Sequence, residues 1–365
     1  MSAPKNNHRV TAASAVVVVL GLLLSLAFTS VASAMLSYDG GLSRSHSKAR
    51  LQAKAKAKHK RAHRRRAHSA AGSVSYDLCA VAGTTTPAGA PGSVPVWSFA
   101  LKPGGGCAAA VASLPAPTLT ADEGDAVTLT VENKLPDALS FDIPGVTFNN
   151  GLTSVAPGAV RTITFTATNA GSFLYESSGD AGRQAEVGLA GPLVVGSSMP
   201  LRAYDDASTT YNVSALMVLS DVDPNLNATL PGGTLAAFDM ATWAPAYRLI
   251  NGLAYPDTAT PATRNISAAA GQKVLLRYVN TSSEHISMTV LGADATVVGR
   301  DGGFLTSPLG VTADTIPAGG TADEIVTVPA TAHTGDKIAI YERNLRLQNG
   351  STAGLGGRVR FIVVS

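Results

Sequence analysis

Two segments of this 365-residue chain repeat one local pattern, and the repeat limits the folds that the chain can adopt. Residues 123–136 read EGDAVTLTVENKLP, and residues 270–283 read AGQKVLLRYVNTSS. Each is followed by a proline-containing turn and a second strand-like run, APGAVRTITFTA at 156–167 and IPAGGTADEIVTV at 316–328. A repeat of this kind predicts two copies of one domain type.

Short runs with a period of two, separated by turn residues, predict that the chain is all-β. Val127–Val131 and Thr162–Thr166 alternate larger apolar residues with threonine, a pattern that places alternate side chains on opposite faces of a strand. Turn pairs such as Gly124-Asp125 and Pro144-Gly145 separate such runs. Helical periodicity is nearly absent, so we predict β-sandwiches of the Greek-key type. Further strand-like runs are residues 211–219, 273–279, 288–291, 324–328, 337–341 and 359–364.

The N-terminus has the pattern of an export signal. Basic residues precede an apolar run, Ala15–Phe28, which ends in the Ala-x-Ala motif of residues 32–34. We expect residues 1–34 to be a cleaved signal peptide, with the rest of the chain secreted or displayed at the cell surface. An alternative is that residues 12–34 stay attached as a membrane anchor, since the apolar stretch is long enough to span a bilayer. Both alternatives place the body of the protein outside the cytoplasm.

Residues 44–68 form a low-complexity cationic segment without an acidic residue, inside a region, residues 35–72, that we predict to be disordered. From residue 69 onward the chain has 15 basic and 24 acidic residues, a net charge of about −9. We expect the cationic segment to contact anionic envelope polymers or a lipid surface; the alternative is a solvated spacer. No aromatic residue is interleaved, so specific nucleic-acid binding is not expected. The candidate contact residues are Lys54, Lys56, Lys58, Lys60, Arg61, Arg64, Arg65 and Arg66.

The two cysteines, Cys79 and Cys107, lie 28 positions apart. An exported protein is exposed to oxidising conditions, which favour a disulfide between them. The alternative is a copper thiolate, which needs two histidines close to the cysteine. Neither cysteine has a histidine near it in the sequence, so we predict the disulfide.

Ordered motifs along the body resemble those of the multicopper oxidase family. They include YDLCAVAG at 76–83, PTLTADEGDAVTLTVENKLP at 117–136 and GSFLYESSGDAGRQAEVGLAGPLVV at 171–195. In the second half they include LINGLAYPDT at 249–258 and AAAGQKVLLRYVN at 268–280. The resemblance implies two tandem Greek-key cupredoxin, or plastocyanin-like, domains, which we place at residues 73–197 and 198–365.

The copper ligands that the resemblance implies are missing from this sequence. A His-x-His pair is expected where Ser140-Phe141-Asp142 stands, and a second pair is expected where Glu176 and Ser178 stand. Five of the seven histidines lie before residue 69, which leaves His285 and His333 for the body. Imidazole and thiolate are the ligands that copper prefers. Copper is the family cofactor, but we expect no cofactor in this chain.

The remaining candidates for a metal contact are His285, Met288 and Glu176. If residues 285–288 form a strand, His285 and Met288 lie on opposite faces and do not chelate together. The alternative for His285 is a hydrogen-bonded histidine beside a core methionine. The charged residues of this region, Glu176, Asp180, Arg183 and Glu186, are expected to be solvated loop charges rather than a hard-cation or acid–base site.

Three functions are compatible with these features. The first is an exported, non-catalytic module that binds partners or acts as a scaffold at the cell envelope or outside the cell. The second is a copper-dependent oxidoreductase of the multicopper oxidase type whose sites another chain completes. The third is an adhesin that holds anionic surfaces through its cationic segment. The missing ligands favour the first.

Overall fold

The computed structural model describes residues 71–151 and 154–365, and its secondary structure is almost entirely β. The predicted signal segment and the eight candidate polyanion contacts lie outside the described residues. Two one-turn α-helices occur in the described part, Arg183–Glu186 and Pro224–Asn227. No helix in this part is long and apolar enough to cross a membrane. The all-β prediction is therefore confirmed.

The first half of the body forms a sandwich of two sheets. One sheet has four strands in the order β2-β1-β4-β7, and the other has five strands in the order β3-β9-β8-β5-β6. The strands are β1 Ser73–Thr85, β2 Val94–Leu101, β3 Leu119–Asp122, β4 Ala126–Asn133, β5 Leu139–Asp142, β6 Ser154–Val155, β7 Val160–Thr166, β8 Gly171–Ser177 and β9 Ala190–Gly196.

The second half forms a sandwich of a six-stranded and a five-stranded sheet. Their orders are β11-β10-β13-β18-β15-β16 and β12-β20-β19-β14-β17. The strands are β10 Val213–Val222, β11 Tyr247–Ile250, β12 Ile266–Ala268, β13 Lys273–Asn280, β14 Ile286–Val290, β15 Asp294–Arg300, β16 Gly303–Val311, β17 Ala313–Ile316, β18 Thr321–Thr327, β19 Lys337–Glu342 and β20 Val359–Val364.

The sequence repeat corresponds to a repeat in strand pairing. In the first sandwich β4 lies between parallel β1 and antiparallel β7, and in the second β13 lies between parallel β10 and antiparallel β18. Strand β3 pairs in parallel with β9, and β12 pairs in parallel with β20, although the two strands of each pair are far apart in sequence. Such pairs require the long connections of a Greek-key arrangement. The prediction of a repeated β-sandwich is confirmed.

Alternation along the strands builds the cores. Val127, Leu129 and Val131 of β4 are buried against the first core, while the residues between them are partly exposed. Burial of apolar side chains on one face of each sheet drives the sandwich together. The first core also takes in Leu226 and Leu230, which follow the predicted domain boundary in sequence. The described residues belong to one compact unit, and the boundary at residue 197 stays a prediction.

Cys79 and Cys107 form a disulfide, as predicted. Their Cα atoms are 5.5 Å apart, and both side chains are buried. The bond links β1 to the short turn that follows β2, the edge strand of the four-stranded sheet.

We expect loss of this disulfide to lower the free energy of unfolding by roughly 3 kcal/mol, because the bond restricts a loop of this size in the unfolded chain. Urea unfolding of a Cys79→Ser/Cys107→Ser variant beside the oxidised wild type measures the difference. Wild type unfolded under reducing conditions is the matched control. Equal midpoints for the variant and the oxidised protein would contradict the prediction.

Candidate functional site

The ends of β5 and β8 lie side by side and bring together the four residues at the implied ligand positions. Asp142 and Glu176 face each other as antiparallel partners. Just beyond them, the Ser178 N–H donates to the Ser140 carbonyl at 2.9 Å, and the Ser178 hydroxyl lies 3.3 Å from Oγ of Ser140. The sequence positions that the resemblance singled out are therefore neighbours in space.

This group offers oxygen donors alone. Glu176 is partly buried, which raises the pKa of its carboxyl group, and the neighbouring Asp142 carboxylate raises it further. Hydroxyl and carboxylate oxygens suit hard cations rather than the copper ions of an oxidase, so these four residues do not fit a copper centre. Nowhere in residues 71–151 and 154–365 do three or more His, Cys, Asp or Glu side chains form a group suited to a metal ion.

Ser177, between Glu176 and Ser178, points to the other side and is completely buried. Its hydroxyl accepts the Ser140 N–H at 2.9 Å and donates to Oε1 of Gln184 at 2.7 Å. The Gln184 amide in turn donates to the Ala138 carbonyl at 3.0 Å and to the Asp180 carboxylate at 2.8 Å. The strand ends and the following loop are thus held by a network of side-chain hydrogen bonds.

Part of this chain is similar to known copper proteins. A family model described as multicopper oxidase matches residues 106–199. Copper resistance protein A of Pseudomonas syringae pv. tomato is 27% identical over 268 residues, which cover 60% of this chain and 42% of that protein. The copper-containing nitrite reductase of Alcaligenes xylosoxydans xylosoxydans is 27% identical over 234 residues, covering 59% of this chain and 69% of that protein.

The fold agrees with solved structures as well. The blue copper oxidase of Nitrosomonas europaea superposes with a TM-score of 0.64 at 19% identity, covering 80% of this chain and 86% of that one. The chain is thus similar to multicopper oxidases over part of its sequence, and it shares the cupredoxin-like β-sandwich fold of their solved structures. It spans less than half the length of copper resistance protein A, so that protein's activity is not transferred with the fold.

The other metal candidates of this multicopper oxidase-like chain are not brought together. His285 is exposed just before β14, and its Nδ1 accepts the Ala318 N–H at 3.1 Å. Met288 is buried in the second core. The two side chains lie on opposite faces, as the strand pattern predicts, and Glu176 lies on β8 of the other sandwich. The candidacy of these three residues as metal ligands stays a prediction.

The prediction that Glu186 is a solvated loop charge is wrong. Its side chain is buried where the helix Arg183–Glu186 packs against the second sandwich, and Oε2 accepts the Ser283 N–H at 2.7 Å and the Ser283 hydroxyl at 2.8 Å. Burial and the nearby Asp221 carboxylate raise the pKa of Glu186 to about 8. Its neighbour Arg183 is half-buried and donates from Nε to the Phe238 carbonyl at 3.0 Å. Glu186 is therefore part of the contact between the two sandwiches.

A buried guanidinium lies behind Glu186. Arg358 is fully buried and forms ion pairs with Asp221 and Glu342, each at 2.7 Å. The Ser282 hydroxyl donates to the second Asp221 oxygen at 2.5 Å. An arginine with two carboxylates and further hydrogen bonds is the arrangement in which buried charge is tolerated.

A second polar network joins the two sandwiches directly. Asp323 on β18 accepts the Ser172 hydroxyl of β8 at 2.6 Å and the Tyr204 hydroxyl at 2.8 Å. It also forms an ion pair with Arg277 at 3.0 Å. All four residues are buried. Sequence reasoning missed them, although the one signal available was visible: a charged residue inside an otherwise apolar strand, as in KVLLRYVN.

We expect a Glu186→Gln variant to be more stable than wild type at pH 8. The pKa of Glu186 rises from 4.5 to about 8 on folding, so the folded state keeps a proton that the unfolded chain loses. The free energy of unfolding therefore falls as the pH rises from 4.5 toward 8, by an amount on the order of several kcal/mol. Glutamine keeps an acceptor for Ser283 and does not titrate.

Urea unfolding at a series of pH values measures this effect. The slope against pH between about 4.5 and 8 should be shallower in Glu186→Gln than in wild type, while the exposed control Asp294→Asn should leave it unchanged. Parallel curves for wild type and Glu186→Gln would show that Glu186 keeps its ordinary pKa in the folded protein.

Proposed function

We propose that this chain is an exported, non-catalytic member of the multicopper oxidase-like family that acts as a binding or scaffold module at the cell envelope or outside the cell. The observation that carries the proposal is the group Ser140, Asp142, Glu176 and Ser178 at the joined ends of β5 and β8. These positions lie side by side, as the resemblance implies for a ligand set, but supply no imidazole or thiolate, the ligands that copper prefers.

A second candidate is a copper-dependent oxidoreductase whose sites are completed by another chain. The exposed position of His285 favours it, because an imidazole at the surface is accessible to a ligand set on a second protein. The relatives named above are also copper proteins by their names. One experiment separates the two candidates.

We expect the purified full chain to bind clearly less than one copper ion per chain after copper loading and desalting. Elemental analysis gives the stoichiometry, and absorption spectra report blue or near-ultraviolet charge-transfer bands. Turnover of a laccase-type phenol, with and without added copper, tests for activity. Copper near one ion per chain with charge-transfer bands, or copper-dependent turnover, would favour the oxidoreductase and contradict the proposal.

Two control variants make the copper result specific. His46, His59, His63 and His68 lie in the cationic segment, and replacing them with alanine removes copper that this segment binds adventitiously. A Ser140→His/Asp142→His/Glu176→His/Ser178→His variant restores imidazole at the four neighbouring positions. We expect this variant to bind more copper than wild type if its folding, followed by circular dichroism, is retained.

We further propose that residues 44–68 attach the module to anionic envelope polymers or to a lipid surface. The segment carries eleven basic residues and no acidic one, whereas the chain from residue 69 onward is acidic. An acidic body is repelled by an anionic surface, so attachment would depend on the segment.

Deletion of residues 44–68 is therefore expected to abolish retention on cells, and added salt should release the wild type, because exposed charges are screened. A Gly/Ser segment of equal length in place of residues 44–68 separates loss of charge from loss of length. Retention that survives both changes would rule out the cationic segment as the attachment site.

A further inference from the structure

An acidic pocket with aromatic side chains opens where the two sandwiches meet. Its volume is about 380 Å³. Its lining combines the carboxylates Glu123, Asp205 and Asp206 with the rings of Tyr204 and Phe304. The two ring centroids are 5.5 Å apart. Carboxylates beside aromatic rings suit a guanidinium or ammonium group, which gains from both the negative charge and the ring faces.

The carboxylates of the pocket are held close together by neutral groups. Hydrogen bonds keep the pKa values of two of them low: the Ser197 hydroxyl acts on Asp205, and Ser208 acts on Asp206. Both aspartates are thus ionised at neutral pH. Burial raises the pKa of Glu123, and the neighbouring Asp205 carboxylate raises it further. A cation in the pocket would relieve this repulsion.

Among the described residues that line the pocket, none is lysine or arginine. The positive charge of Arg202 lowers the pKa of Asp206, but Arg202 is not part of the lining. The excess negative charge of the pocket is therefore available to a cationic group from elsewhere.

The start of the described chain lies beside the pocket. The Gly72 N–H donates to the Asp125 carboxylate at 2.8 Å. A Cβ atom placed on Gly124 would lie 3.6 Å from Cβ of Ala71. Glu123, which lines the pocket, is the residue next to Gly124, so the chain reaches the body at the turn that carries one of the pocket carboxylates.

Three consecutive arginines, Arg64–Arg66, precede that point by a few residues. Five residue steps separate Arg66 from Ala71, a reach of about 17 Å for an extended chain. A short tether of this kind gives the attached group an effective concentration in the millimolar range, so that even a weak site is occupied. The negative charge of the pocket, its aromatic rings and the length of the tether are all compatible with an arginine from residues 64–66.

We propose that the pocket formed by Glu123, Tyr204, Asp205, Asp206 and Phe304 is the docking site of the arginine run Arg64–Arg66 of the same chain. The inference is independent of the proposed scaffold role. The pocket and an anionic surface would compete for the same three arginines. A strongly charged surface would therefore draw them out of the pocket.

Limited trypsin digestion of the full chain tests the docking. At low salt, cleavage after Arg64–Arg66 should be several-fold slower than cleavage after Lys54 and Lys56, which serve as reference sites in the same molecule. An Asp205→Asn/Asp206→Asn variant should lose this protection, and so should wild type at high salt. An Asp257→Asn/Asp294→Asn variant, which removes the same charge from other parts of the body, should keep it.

Three outcomes would overturn the proposal. One is equal cleavage of the arginine run in wild type and in the Asp205→Asn/Asp206→Asn variant. Another is protection that disappears on dilution, which assigns the pocket to the arginines of a second copy. The third is equal affinity of wild type and an Arg64→Ser/Arg65→Ser/Arg66→Ser variant for added tri-arginine peptide in calorimetry. We expect the variant to bind the peptide more tightly, because its pocket is free. Equal affinity would show that the arginine run does not occupy the pocket.

Discussion

Strand β8 is buried on both faces, and the rest of the structure depends on that constraint. Phe173 and Tyr175 point into the first core, whereas Ser172 and Leu174 point toward the second sandwich. Because side chains alternate along a strand, one seven-residue segment serves a core and an interface at once. A Cβ atom on Gly302 would lie 2.1 Å from the Phe173 ring, so this glycine lets the second sandwich approach β8 closely.

The polar residues of the interface give it specificity. The ion pairs of Asp323 with Arg277 and of Arg358 with Asp221 and Glu342 lie within the second sandwich. Hydrogen bonds from Ser172 to Asp323 and from Ser283 to Glu186 cross between the sandwiches. Another arrangement of the two sandwiches would remove these partners from buried carboxyl groups, which is costly. Glu186 joins this interface as a buried acid, so the same contact makes the stability of the protein depend on pH.

Features that depend on residues close in sequence were predictable from the sequence, whereas features that depend on contacts between distant segments were not. The period-two runs predicted β4 and β7, because alternation is a local property of a strand, and the strand-like run at residues 273–279 predicted β13. The Cys79–Cys107 disulfide was predictable because the two cysteines are the only ones in the chain. The burial of Glu186 and the packing of Leu226 on the first core were not, since both depend on contacts between segments distant in sequence. The pocket, for the same reason, had no local signal.

The resemblance implies a metal site at the ends of β5 and β8, and the residues grouped there are Ser140, Asp142, Glu176 and Ser178. We propose that this chain keeps the fold while it supplies oxygen donors instead of imidazole at this place. Anomalous diffraction at the copper edge, from crystals soaked in a copper salt, tests it most directly. The account predicts no copper peak between these four side chains, and a well-occupied peak bonded to them would contradict it.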